Sequence, residues 1–317
     1  MEETFAGCPP LRVSKLQVAC TGVLLALVRQ PAAPHACAAA MKALAQLHVC
    51  LMQVPAEAGG HTDAAALLGR LMTELLKAMG AVGRKSGGVK GVGGAGAAVV
   101  LVAGAEVVAR ALRVQPTAMR PHCKQVTTLM AGLLAHEKAG VRRAAALALA
   151  LSPAAAPRDL YSSNGVAWQA LVKSLMDVAS RLLWHLDGLS DDGSPAPIAP
   201  IELIAADFRQ LASLPEAGST GGVGGGAAER LAAAEELGRR LDGVFEGLGR
   251  CLCGGFAGEG GVAVLKLVSV VERVLLLPEG GIKNLTGFAH ESLLSPQLAC
   301  LVVPTLHIKA LTLLFMP

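Results

Sequence analysis

Apolar residues recur at spacings of three and four in segment after segment of this chain, and nowhere do they alternate with polar residues over the length of a strand. That period puts them on one face of an α-helix. Leu68, Leu71, Met72, Leu75 and Met79 form one such stripe, with Thr62-Asp63 just upstream as caps. Val126, Leu129, Met130, Leu133 and Leu134 form a second after Pro121, a favourable first-turn residue. Leu171, Leu175, Val178, Leu182 and Leu186 make a third, and Leu237, Leu241, Val244, Leu248 and Leu252 a fourth. Weaker stripes run through 16–27, 41–51, 99–112 and 265–275. The expected fold is therefore all-α, about ten helices joined by turns that hold Pro or Gly.

Composition agrees. Of 317 residues 53% are hydrophobic but only 3% aromatic, so the core is built from Ala, Leu, Val and Met, poor material for a β-sandwich or barrel. Only 16% are charged, and mean hydropathy is +0.51, which raises the question of a membrane. The longest uncharged run, 292–308, falls short of the roughly 20 apolar residues a spanning helix needs and contains Pro296 and Pro304. No membrane span is expected. The first residues, Met1-Glu2-Glu3, lack the basic lead of a secretory signal. Eight cysteines lie mostly far apart inside apolar segments and read as reduced core residues.

The passage Val141-Arg142-Arg143-Ala144-Ala145 followed by Ala148-Leu149 reads V-R-x-x-A-x-x-A-L, the pattern of the inner helix of HEAT-type repeats. Small residues there let helices approach closely, which suits stacked pairs. The expectation is an irregular α-solenoid of HEAT/armadillo-like helical repeats, one domain over 1–317. Two glycine-rich stretches, 80–97 and 214–227, read as flexible insertions between helices, and 187–200 as a third break. The final helix, taken from Pro304, has few polar positions, with Thr305, Lys309 and Thr312 on one narrow stripe. A helix that apolar belongs inside a structure. Further repeats after residue 317 are expected, and with them an exposed patch on this chain.

Chemistry-bearing motifs are weak. Gly91, Gly93 and Gly96 satisfy G-x-G-x-x-G, but the preceding glycines and lysines cannot form the strand that a dinucleotide turn requires. Cys251 and Cys253 are two apart on a helix, so their side chains diverge by about 200°. They and His122-Cys123 find no second pair for a metal. No G-x-S-x-G, H-E-x-x-H or Gly-Lys-Ser/Thr loop is present. The reading is non-enzymatic: no catalytic residue, no cofactor, no metal, and no binding residue assigned. Net charge of +4 is mild. Arg110, Arg113, Arg120, Lys124, Lys138, Arg142 and Arg143 gather along successive helices, but a solvated edge explains them more simply than an RNA-binding face. Tyr161 is the only tyrosine, and Trp168 and Trp184 read as core residues.

From Met119 onward the order of segments resembles the amino-terminal helical region of the PELP/Rix-type family, the pre-rRNA-processing scaffolds that comprise the animal proline-, glutamic acid- and leucine-rich protein and its fungal counterpart. The segments that carry the resemblance are 129–134 with the alanine-rich helix ending Leu149-Ala150-Leu151-Ser152-Pro153, and Trp168 opening a long helix. The most specific are Arg240-Leu241-Asp242-Gly243-Val244-Phe245-Glu246-Gly247-Leu248-Gly249-Arg250-Cys251-Leu252 and Cys300-Leu301-Val302-Val303-Pro304-Thr305-Leu306-His307-Ile308-Lys309-Ala310-Leu311. Residues 14–79 match more loosely. The chain departs from the family in its glycine insertions and in lacking a proline- and acid-rich tail.

The resemblance implies a nuclear scaffold in maturation of the large ribosomal subunit. Its implied partners are a WD-repeat protein, a second helical-repeat protein, pre-ribosomal particles and the AAA-type ATPase midasin. Direct RNA contact and a homodimer are left open. A generic α-solenoid adaptor in trafficking or the cytoskeleton would give the same periodicity.

Overall fold

The computed structural model describes residues 10–30, 32–53, 60–86, 94–158, 163–187, 200–213, 227–254, 264–277 and 296–314. Among them every regular element is helical. The chain forms two compact units, residues 1–122 and 123–317.

In the first unit α1 (Pro10–Val28), α2 (Pro34–Met52), α3 (Gly60–Ser86) and α4 (Gly94–Val114) pack as successive neighbours, and a single turn, α5 (Pro116–Met119), follows. Two further contacts set the architecture, α1 against α3 and α2 against α4. Each pair thus stacks on the next, helix over helix. The stripe expected at 68–79 is the core of this unit: Leu68, Leu71, Met72, Leu75 and Met79 are all buried. Gln115 closes it, its Oε1 accepting from the Nε2–H of buried His48 (3.1 Å) and its Nε2 donating to the Met52 sulfur.

The second unit repeats the scheme. Helix α6 (Cys123–Leu133) packs on α7 (Ala139–Leu151), α8 (Asn164–Asp187) on α10 (Ala227–Leu252), and α11 (Val264–Leu275) on α12 (Pro296–Leu314); a short turn α9 (Arg209–Ala212) lies between α8 and α10. Across the pairs, α7, α10 and α12 form one row, and α11 stacks on α8 in another. The all-helical fold is as expected, and its packing is compatible with a helical repeat. Val141, Ala145, Ala148 and Leu149 of the V-R-x-x-A-x-x-A-L helix are fully buried on α7, where small side chains admit α10. Trp168 is buried in the core, its indole N–H donating to the Cys251 carbonyl at 3.0 Å. Trp184 is half-buried against the His185 ring, edge to face.

Several expectations change. The glycine stretch at 80–97 is largely helix: 80–86 continue α3 and 94–97 begin α4. The reason is that Val82 extends the Leu75 and Met79 stripe and stays buried, so the helix still has a face to pack. Thr62 and Asp63 lie inside α3, which starts at Gly60, and so do not precede it as caps. Residues 87–93, 188–199 and 214–226, with the remainder of the expected insertions, and Tyr161 lie outside the described residues. Pro304 sits within α12 rather than opening it. As expected, that helix leaves apolar side chains exposed: Val303, Leu306, Ala310 and Leu313 are buried, whereas Pro304, Thr305, Ile308, Leu311 and Thr312 face solvent. Helix α4 is long and apolar enough to cross a bilayer by length and composition, although Glu106 and Arg110 keep it from being a long uncharged run. Its Val100, Leu101, Val108 and Leu112 are core residues of the first unit.

Candidate interaction surface

Each stacking step within the units is crossed by an ion pair. Arg29, just after α1, pairs with Glu74 of α3 at 3.0 Å, and Lys42 of α2 with Glu106 of α4 at 3.0 Å. Arg142 of α7 meets Asp242 of α10 at 2.5 Å. Lys309 of α12 reaches back to Asp242 at 3.2 Å and Glu246 at 3.4 Å, and Lys266 of α11 to Asp177 of α8 at 2.6 Å. The exposed pairs contribute little stability, about 0–1 kcal/mol each. Their value is registry, since opposite charges oppose each other only at one setting of the two helices.

The Arg142 junction is the most enclosed. Its side chain and that of Asp242 are only 12% and 16% exposed, and it also donates to the carbonyls of His136 (2.8 Å) and Glu137 (3.0 Å). One guanidinium therefore ties the α6–α7 corner to α10, using the fixed fork of donors that distinguishes Arg from Lys. Two other arginines hold turns in the same way. Arg240 donates to the carbonyls of Gln210, Leu211 and Ser213 at the end of α9, and Arg209 to those of Ile204 and Glu202. Close approach completes the junction. A side chain at Gly243 would meet the backbone of Leu134, whose Cα and carbonyl carbon lie 3.2 and 2.8 Å from the position of a Cβ.

These contacts decide the fate of the basic residues singled out above. Arg142 is engaged internally, and Arg120 is half-buried; Arg110, Arg113, Lys124, Lys138 and Arg143 are exposed. The cations therefore do not act as one set.

No described residues assemble a reactive centre. Cys251 is buried and its thiol pushed up to about 12 by loss of solvation; burial also raises Cys37 and Cys123. Such thiols are poor nucleophiles. Cys253 is exposed, so it and Cys251 do not face one site. Burial lowers His122 and His136, and lowers His185 to about 4, with the Arg181 charge adding to the effect. No cluster of three or more metal-ligating side chains occurs among the described residues. A cleft of about 310 Å³ opens between α6, α8 and the 206–208 turn, with Cys123, Ser152, Ser174 and Asp207 in its wall. Those groups are already engaged. Ser174 donates to the Ala170 carbonyl, Ser152 to that of Leu149, the Cys123 thiol to that of Ser152, and Asp207 accepts from Thr128.

Fold and surface together define an all-helical protein whose packing is compatible with a helical repeat and whose polar groups set the register of its helices. Compared with known protein families and with curated proteins, the chain matches none.

Proposed function

We propose that this chain is a non-enzymatic helical-repeat scaffold supporting pre-rRNA processing and maturation of the large ribosomal subunit in the nucleus, its stacked pairs forming an irregular α-solenoid of HEAT/armadillo-like repeats. One observation carries this reading. The two segments most like the PELP/Rix-type family, 240–252 and 300–311, belong to neighbouring helices α10 and α12, and Lys309 of one pairs with Asp242 and Glu246 of the other. The resemblance therefore falls on residues that serve a single packed junction, as segments retained for a shared architecture would. The other closely matching segments also supply the core of the same unit, Met130, Leu149 and Trp168 among them.

On this reading the partners are a WD-repeat protein, a second helical-repeat protein and the ATPase midasin on pre-ribosomal particles. Affinity purification of the tagged chain followed by mass spectrometry tests it. Recovery of those proteins with large-subunit precursors is the expected result. Recovery of coat or cytoskeletal components in their place would overturn it in favour of a generic adaptor.

A further inference from the structure

Large apolar side chains are exposed at nine described positions, and five of the nine lie on one helix pair: Leu265, Val268 and Leu276 of α11 or the turn after it, and Ile308 and Leu311 of α12. Scattered singly, such residues need no explanation, but a concentration does. On α11 they are ordered. Leu265, Val268, Glu272 and Leu276 follow at spacings of three, four and four, a solvent-facing stripe about 16 Å long at 1.5 Å per residue. It runs opposite the buried Val270, Val271 and Val274. Leu265 is 87% and Leu276 72% exposed, so among the described residues nothing covers the stripe.

What fits it follows from how the other helices meet. The stacking steps described above join apolar stripes and are each crossed by opposite charges, Arg29 with Glu74, Lys42 with Glu106, Arg142 with Asp242, Lys266 with Asp177, and Lys309 with Asp242 and Glu246. The exposed stripe of α11 offers the same combination with one half absent. Glu272 sits in its middle, exposed, and has no ion-pair partner among the described residues. Of the other charged groups on its helix, Lys266 is turned to Asp177. Arg273 is buried.

We propose that the α11 stripe docks an amphipathic helix of a partner protein that sets a Lys or Arg opposite Glu272 within an apolar face. A second copy of this chain is a poor occupant, because two-fold pairing of the stripe would oppose Glu272 to leucine or to its own counterpart and supply no cation. The inference rests on the packing of the second unit and stands apart from the ribosomal reading.

The test uses the full chain and two fluorescein-labelled designed peptides, each an amphipathic helix with leucines at i, i+3, i+7 and i+11, one with Lys and one with Glu at its centre. Fluorescence anisotropy should show saturable binding of the Lys peptide and binding about three- to tenfold weaker for the Glu peptide. Glu272→Lys should invert that preference. Leu265→Asp with Leu276→Asp should abolish binding while leaving the helical signal and unfolding midpoint unchanged, since both side chains are exposed. Equal affinity for the two peptides, no inversion in Glu272→Lys, or no saturable binding would overturn the proposal. So would light scattering that finds a dimer dispersed by Leu276→Asp, which would give the stripe to a second copy.

Discussion

Gly243→Ala and Gly247→Ala introduce the same methyl group one turn apart on α10 and should act in opposite directions. At Gly247 the nearest atoms to an added Cβ are the Leu134 and Leu175 methyl carbons at 3.4 to 3.6 Å, ordinary contact distances. Nothing must move. The gain is helix propensity, about 1 kcal/mol for replacing Gly by Ala. At Gly243 the added carbon would lie 2.8 Å from the Leu134 carbonyl carbon, with the oxygen nearer still. Ordinary carbon-to-oxygen contact is about 3.3–3.6 Å, and the obstacle is backbone, which cannot rotate aside. Helix α10 must retreat from the α6–α7 corner, and with it Asp242, one residue before Gly243, draws away from Arg142. Overpacking of this kind costs about 1–3 kcal/mol, and backbone as the obstacle places it at the upper end. After the propensity gain is offset, Gly243→Ala should be destabilised by about 1–2 kcal/mol and Gly247→Ala stabilised by up to about 1 kcal/mol. Urea unfolding followed by circular dichroism measures both. Equal signs for the two variants, or a neutral Gly243→Ala, would refute the close approach of α10 to Leu134.

Other outcomes follow from the same packing. Ala148→Leu fills a fully buried position on α7 and should cost about 1–3 kcal/mol, read as a lower Tm. Arg142→Ala strands a largely enclosed Asp242 and should cost about 3 kcal/mol; in a double-mutant cycle with Asp242→Ala the losses should be strongly non-additive. His136 and His185 both have folded pKa values below 6.5, so the unfolded chain binds their protons first. Their contribution to stability is complete above about pH 6.5 and is lost as pH falls, for His185 down to about 4. Urea midpoints should therefore drop between pH 7 and 5, and less steeply in His185→Gln. Among the described cysteines, iodoacetamide should label exposed Cys20, Cys50 and Cys253 well before Cys37, Cys123 and Cys251.

Local pattern made much of the fold legible. The stripe on α3, Leu171, Leu175, Val178 and Leu182 of α8, and Leu237, Leu241, Val244 and Leu248 of α10 appear in the core, with Leu252 half-buried at the end of its stripe, because burial acts on a helix face whose membership is a matter of counting. The V-R-x-x-A-x-x-A-L helix was legible for a related reason: alanines at 145 and 148 make sense only where another helix comes close. Glycine misled at 80–86, where composition suggested a break and Val82 keeps α3 packed. The final helix was legible in its exposed apolar patch, which Ile308 and Leu311 supply, but not in its start, since Pro304 lies within it. The polar junctions could not be read at all. Arg142 and Asp242 are one hundred positions apart, and no spacing announces that they meet. Gly243 and Gly247 do leave a trace, two small residues one turn apart on a helix, a signal of close approach that carries weight only once the neighbouring segment is known.

The claim that this scaffold serves large-subunit maturation is tested most directly by depleting the protein in its own cells and following precursor rRNA by hybridisation. The account predicts accumulation of unprocessed precursors that retain the internal transcribed spacer, with the protein co-sedimenting with nuclear large-subunit precursors. A normal precursor profile after depletion would contradict it.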